Sequence, residues 1–233
     1  MSSTALQAQL SARLERVIEL RRSLAAAPDL AARWLALKHW QSARLAQTYA
    51  DLLASSRYHD AAQFFLDELY GAKDFEQRDV ETLIVVPKLA KMLPERAVES
   101  LLAAVELDEL SERLDSQMAQ RLTGEITPAA YAAAFRVVGS RQLRLEQVAA
   151  VEKIGLTLDK LARVPLLRAT LHLMRGPAAA MGLAHLHGFL EGGFDAFAAM
   201  KGSKDFLATI ARRETVLFDR IYAGEPDWLR PVD

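Results

Sequence analysis

The sequence predicts an all-α protein, a multi-helix bundle or array of about eight to ten helices forming a single helical domain over residues 1–233. Three observations predict it. Apolar residues recur at three- and four-residue spacing along most of the chain. Helix start and stop signals follow one another at short intervals. No strand hairpin, alternating βα pattern or internal repeat is present in the sequence. At 233 residues, 51% hydrophobic and 25% charged, the chain is long enough to bury a substantial core.

The first helix is expected from about Thr4 to Ala26, with Leu6, Leu10, Leu14, Val17 and Leu24 at helical intervals among arginines and glutamates. Pro28 and Asp29 break it. From Leu30 to about Ser55 the spacing predicts one long helix. Leu30, Trp34, Leu37, Leu45 and Leu52 form its main stripe, with Gln41 and Thr48 inside that stripe. A second face of small residues, Ala32, His39, Ala43, Ala46 and Ala50, predicts burial on two sides. Phe75 to Met92 reads as helix with a kink or break at Pro87. Pro94 opens the next helix, which continues through Leu122 to Gly124, with Glu106, Asp108, Glu109 and Glu112 as a solvated acidic face. Further boundaries are expected at Thr127-Pro128, Gly139-Ser140 and Val164-Pro165, and a turn at Arg175-Gly176-Pro177 before a helix over Ala178 to Met200. Ser203 is placed to cap a last helix reaching about Tyr222, in which Arg212, Arg213 and Glu214 read as an exposed face.

The stretch Tyr58 to Asp79, YHDAAQFFLDELYGAKDFEQRD, holds the densest set of chemically specific residues. Ala61, Ala62, Phe65, Leu66 and Leu69 share one helical face, while Asp60, Gln63 and Asp67 share the opposite one. Phe65 and Leu69 are therefore expected in the core. Glu68 projects at the edge of the apolar face, where a carboxylate needs a partner. Gly71 is positioned to end this helix in the left-handed conformation, and Asp74 with Gln77 has capping-box spacing for the next, which together predict a helix-turn-helix corner. Lys73, Asp74, Arg78 and Asp79 read as a solvated turn with local pairs. The run FFLDELYGAKDF, Phe64 to Phe75, resembles the signature of the bacterial FFLEELY-motif family, with Asp67 where the family name has Glu. That resemblance covers most of the chain, implies a wholly helical fold and brings no reaction with it.

Composition narrows the function classes. Lys+Arg 29 against Asp+Glu 30 gives a net charge of -1, without the basic excess of a general nucleic-acid binder. Zero cysteines exclude disulfides, thiolate metal sites and cysteine nucleophiles, and fit a reducing cytoplasm. The amino-terminal segment interrupts its apolar residues with charges, so no signal-peptide core is expected. The longest uncharged run, between Arg175 and Glu191, is too short and too rich in Gly and His to span a bilayer. A soluble protein, binding neither nucleic acid nor membrane, follows as the expectation.

Searches for chemical signatures remove the common enzyme motifs. No histidine has a glutamate three residues before it, as a carboxylate-bridged di-iron bundle requires, and no GxSxG, P-loop or GxGxxG is present. No metal and no cofactor is expected. Met181, His185, Gly188 and Gly192 share a stripe that reads in two ways. One is a flat-ligand groove with His185 as an axial haem ligand; the other, favoured because a lone histidine near small residues is weak support for a metal, is a close crossing of two helices. His187, four residues before Glu191, reads as half of a surface pair. A polar constellation remains: Glu68 on the motif helix, with Gln41, Arg44 and Thr48, and His39 on the other face of the preceding helix. Antiparallel packing would let Arg44 meet Glu68, as an inter-helix salt bridge or as a binding pocket. The resulting functional expectation is a non-enzymatic module binding a protein or small molecule. The alternative is an enzyme or cofactor-binding bundle of haem-oxygenase-like architecture using an inter-helix pocket.

Overall fold

The computed structural model describes residues 3–69, 76–90 and 95–232. Among these residues it is all-α, with eleven α-helices, one π-helical turn and no strands. The helices are α1 (Ser3–Ala25), α2 (Pro28–Thr48), α3 (Ala50–Ala54), α4 (His59–Phe64), α5 (Glu76–Ala90), α6 (Glu95–Arg121), α7 (Pro128–Val137), α8 (Arg141–Ala162), α9 (Pro165–Ala180), α10 (Ala184–Ala199) and α11 (Lys204–Ala223); the π turn is Phe65–Leu69. The Gly71 corner and Pro94 lie outside the described residues, as does the Leu69 side chain.

Most boundaries follow the local signals that predicted them. Pro28, Pro128 and Pro165 each open a helix, where a missing N–H costs no intrahelical bond. Thr127 and Ser140 accept from the backbone N–H three residues on, the N-cap arrangement that satisfies an otherwise orphan donor. Gly139 (φ 91°) and Gly224 (φ 75°) take positive φ where α7 and α11 end. Ser203 stands at the start of α11 but makes no cap bond. Its φ −92° and ψ −8° are helix-like rather than the extended geometry that aims a hydroxyl forward.

Four expectations fail for tertiary reasons. The long second helix stops at Thr48, whose hydroxyl returns to the Arg44 carbonyl and whose own carbonyl accepts from Arg213; Tyr49 (φ −114°, ψ 25°) separates it from α3. Its small-residue face is not buried on a second side, since Ala32, His39, Ala43 and Ala50 are exposed. α5 runs through Pro87 without a break, because Val86 and Ala90 on either side are held against Leu6, Leu10 and Leu14 of α1. α9 likewise runs through Gly176-Pro177, anchored by the buried Ala178, and the chain turns instead at Gly182 (φ 72°).

Three apolar clusters hold the helices. α1, α5 and α6 share one around Leu10, Val86 and Val98. α2, α6, α7 and α11 close around Met118, Phe135, Phe218 and Trp228, with Trp40, Tyr131 and Trp228 stacked. The third joins α2, α3, α4, α10 and α11 around Tyr49, Phe197, Met200 and Phe206. Here Phe65 is half-buried, its ring 5.7 Å from Phe206 and 6.2 Å from Phe197. At the α8–α11 crossing Gly155 is required, because a Cβ there would stand 2.6 Å from Leu207 Cδ2.

Candidate functional site

The structure separates the constellation read from the sequence into two places. Arg44 does not meet Glu68. It crosses instead to α11, where its Nη1 donates to Glu214 at 2.5 Å, and Tyr49 Oη donates to the same carboxylate oxygen at 2.8 Å. Burial lowers the Arg44 pKa and the facing Glu214 carboxylate more than restores it, so the guanidinium stays above the ordinary arginine value. Glu214 is thus buried, not part of an exposed face, although Arg212 is exposed and Arg213 pairs with Asp51. Gln41 donates to Asp115 on α6 at 3.0 Å, the Thr48 hydroxyl donates to the Arg44 carbonyl of its own helix, and His39 faces solvent.

Gln41 and Arg44 belong to a buried polar seam that continues toward α1. Lys38 Nζ lies 2.6 Å from Asp115 and 3.4 Å from Glu112. Arg21 then joins Glu112, Asp108 and the Asp79 of α5. The expected acidic face of α6 is solvated only in part: Glu112 is 3% exposed and Glu109 takes Arg13 and Arg16, while Glu106 and Asp108 stay nearly half exposed as they pair with Arg13 and Arg21. Asp79 is also buried, and burial raises its carboxyl pKa against the pull of Arg21. Burial likewise pulls the Lys38 ammonium down, but Asp115 and Glu112 overcome it and leave it above the usual lysine value. This seam contains no histidine, and its charges meet opposite charges, which is the chemistry of a register-fixing network between helices. Its signal was present in the sequence as charged residues in phase with apolar stripes, Lys38 beside Leu37 and Asp115 beside Leu114.

Around the His185 stripe the geometry is that of packing and capping. Glu81, 2% exposed on α5, accepts from the Leu186 N–H at 2.7 Å and lies 2.8 Å from His185 Nδ1, so it caps the amino end of α10 across the fold. Gly192 and Gly193 lie under the Phe64 ring, 3.1 Å from a Cβ built at Gly193, while Gly188 faces open space. His187 and Glu191 are both buried, with His187 Nε2 on the Leu171 carbonyl and Glu191 bridged to Arg175, so the expected surface pair is an interior one. Among the described residues no group of three or more His, Cys, Asp or Glu side chains could hold a metal ion.

The remaining motif residues line an open groove of about 430 Å³ between α4 with its π turn and α10. Phe64 and Gly192 contribute apolar surface, and His59, Asp60, Gln63, Asp67, Glu68, Arg168 and Asp195 supply the polar groups. The wider π turn changes the rotation per residue just where Asp67 and Glu68 project, and such turns recur at functional positions. Gln63 donates to Asp67 at 2.9 Å, holding that carboxylate on the rim. Glu68 meets Arg78 at 3.8 Å, whose guanidinium in turn lies 4.7 Å from the Phe189 ring centre. Burial works to raise the Asp195 pKa, but Arg168 and His172 hold the carboxyl below its ordinary value. With Glu68 facing Arg78 and Asp195 facing Arg168, Asp60 and Asp67 are the carboxylates that leave the lining net negative. A second depression, on α8 around Glu152, Lys153 and Lys160, is formed by a single helix and is no more than its surface relief.

The fold and groove define an all-α protein braced by inter-helix ion pairs, with an open cleft beside α4 and its π turn. The chain belongs to the family described as Domain of unknown function (DUF8198), whose model matches residues 20–228. Comparison with curated proteins and with solved structures finds no match. No helix among the described residues is long and apolar enough to cross a membrane.

Proposed function

We propose that this protein is a non-enzymatic binding module that takes a basic segment of a partner protein in the groove between α4 and α10. The observation carrying this reading is the negative charge that Asp60 and Asp67 leave once Glu68 meets Arg78 and Asp195 meets Arg168, around an apolar floor of Phe64 and Gly192. Such a lining attracts lysine and arginine side chains at long range and accepts their aliphatic stems at contact. The resemblance of residues 64–75 to the FFLEELY signature supports it, because Phe64, Asp67 and Glu68 of that run all face the groove. A bacterial, cytoplasmic setting is part of the same reading and agrees with the absence of cysteine.

The alternative, an enzyme or cofactor-binding bundle, has less behind it. His185 is engaged by Glu81, and Phe64 covers Gly192, one of the two glycines that a planar ligand would need. Fluorescence anisotropy with a labelled Lys/Arg-rich peptide tests the proposal on the full chain. Binding is expected at low ionic strength and should weaken as salt screens the groove. Asp60→Asn with Asp67→Asn, two exposed positions, should weaken it roughly tenfold. Absence of binding at low salt, or binding indifferent to that pair of substitutions, overturns the proposal. Native mass spectrometry of the purified protein separates the alternative, which requires a co-purifying small molecule.

A further inference from the structure

α9 differs from every other long helix in what it leaves uncovered. Only Ala178 of its residues is buried, while Leu166 and Leu173 are 77% and 79% exposed. Its charges do not explain this, because all three lie along the flank toward α10, exposed but each on a carboxylate there. Arg168 and His172 engage Asp195, and Arg175 makes two hydrogen bonds to Glu191, both acceptors on α10. The helix contains no acidic residue, and the stripe through Leu166 and Leu173 carries no charged residue of its own.

That face has an internal order. Leu166, Ala169, Leu173, Gly176 and Ala180 follow one another at alternating three- and four-residue steps, which keeps them in one narrow stripe, and all five are exposed. Large residues alternate with small ones, and a Cβ built on Gly176 meets nothing within 4 Å. We infer that the occupant of this stripe is the same stripe of a second copy of this chain, packed antiparallel about a twofold axis at the level of Leu171. In that register Leu166 of one copy stands opposite Gly176 of the other, and Leu173 opposite Ala169, so each exposed leucine fills the space over a small residue. One symmetry operation satisfies both layers, the self-complementarity an isologous contact demands. An uncharged face also brings no like charges together at the axis. A lipid surface fits less well, since Arg168 and Arg175 are held by carboxylates and are not offered to anionic headgroups.

A single 16-residue helix, about 24 Å long, covers less than the roughly 800 Å² per partner of a standard stable interface. Dimerisation is therefore expected at roughly 10–100 μM protein rather than at nanomolar concentration. Sedimentation velocity of the full chain over that range tests the inference. The expected result is a monomer–dimer equilibrium that Leu173→Glu weakens by at least about tenfold, with Leu166→Glu as the second variant and an unchanged thermal melt in both. The chain lacks cysteine, so Ala169→Cys and Leu173→Cys chains can be mixed to read the register; the mixed disulfide should outpace both like pairings. A chain that stays monomeric, a dimer indifferent to both glutamates, or like pairings forming fastest would each overturn the antiparallel contact. So would a monomer that pellets with anionic vesicles and loses that behaviour in Leu173→Glu.

Discussion

Replacing Lys38 by Met tests whether the polar seam is as dry as its geometry indicates. The side chain is 4% exposed, with Nζ 2.6 Å from Asp115 and 3.4 Å from Glu112, and it also passes 5.2 Å from the Trp34 ring centre. Methionine nearly preserves the stem, so the change removes the charge with little loss of packing. Glu112 keeps Arg21 at 3.4 Å, but Asp115 keeps only the neutral Gln41 amide. Stranding a buried carboxylate in this way should cost about 3–5 kcal/mol in urea melts near neutral pH. Adding Asp115→Asn, which keeps an oxygen for Gln41, should recover about 1–2 kcal/mol of that loss. The pH dependence gives an independent reading. The folded pKa of Lys38 lies above the ordinary 10.5, so its stabilisation is complete below that value and is lost as pH rises toward the folded value. The loss should be about 1.4 kcal/mol per pH unit there, because the unfolded chain releases this proton first. Burial of Tyr131 and Tyr222 raises their pKa values and acts in the same direction, so the informative quantity is the difference between wild type and Lys38→Met. A neutral-pH cost below about 1 kcal/mol, or identical alkaline declines in the two proteins, would show that the ammonium is hydrated and the seam is not a buried network.

Three further outcomes follow from the packing. Phe65→Ala should destabilise by about 2–4 kcal/mol, since the ring is half-buried between Phe197 and Phe206; a denaturant melt showing less than about 1 kcal/mol would remove the motif helix from the core. Gly155→Ala should cost about 1–3 kcal/mol by forcing α8 from α11, and Leu207→Ala in the same chain should suppress that increment, whereas simple additivity would contradict the close crossing. Glu81→Ala should cost about 1–2 kcal/mol through loss of the cap on α10, against about 0.5 kcal/mol for the exposed His185→Ala; a reversed order in thermal melts would mean that His185, not the cap, matters. The same His185→Ala chain serves a haem titration, in which neither protein is expected to show a sharp Soret band.

The sequence by itself determined most of the elements, though not the break at Tyr49 or the run of α9 through Pro177. Helical spacing, proline at first positions and capping hydroxyls are local causes, so α1, α7, α8 and α11 begin and end within a residue or two of where those signals lie. It also located the motif run whose Phe64, Asp67 and Glu68 line the groove. The tertiary structure decided which charged residue meets which. Arg44 could be placed on the core side of α2, but Glu68 and Glu214 were equally available to it by composition. Only the approach of α11 brings Glu214 to 2.5 Å. The same holds for Glu112, Asp79 and Glu191, whose partners lie 91, 58 and 16 residues away in sequence. Propensity and periodicity act over one or two helical turns, which suffices to form a helix and orient its faces. Burial of a charge depends on what the other helices bring against it, and that information is spread over the whole chain.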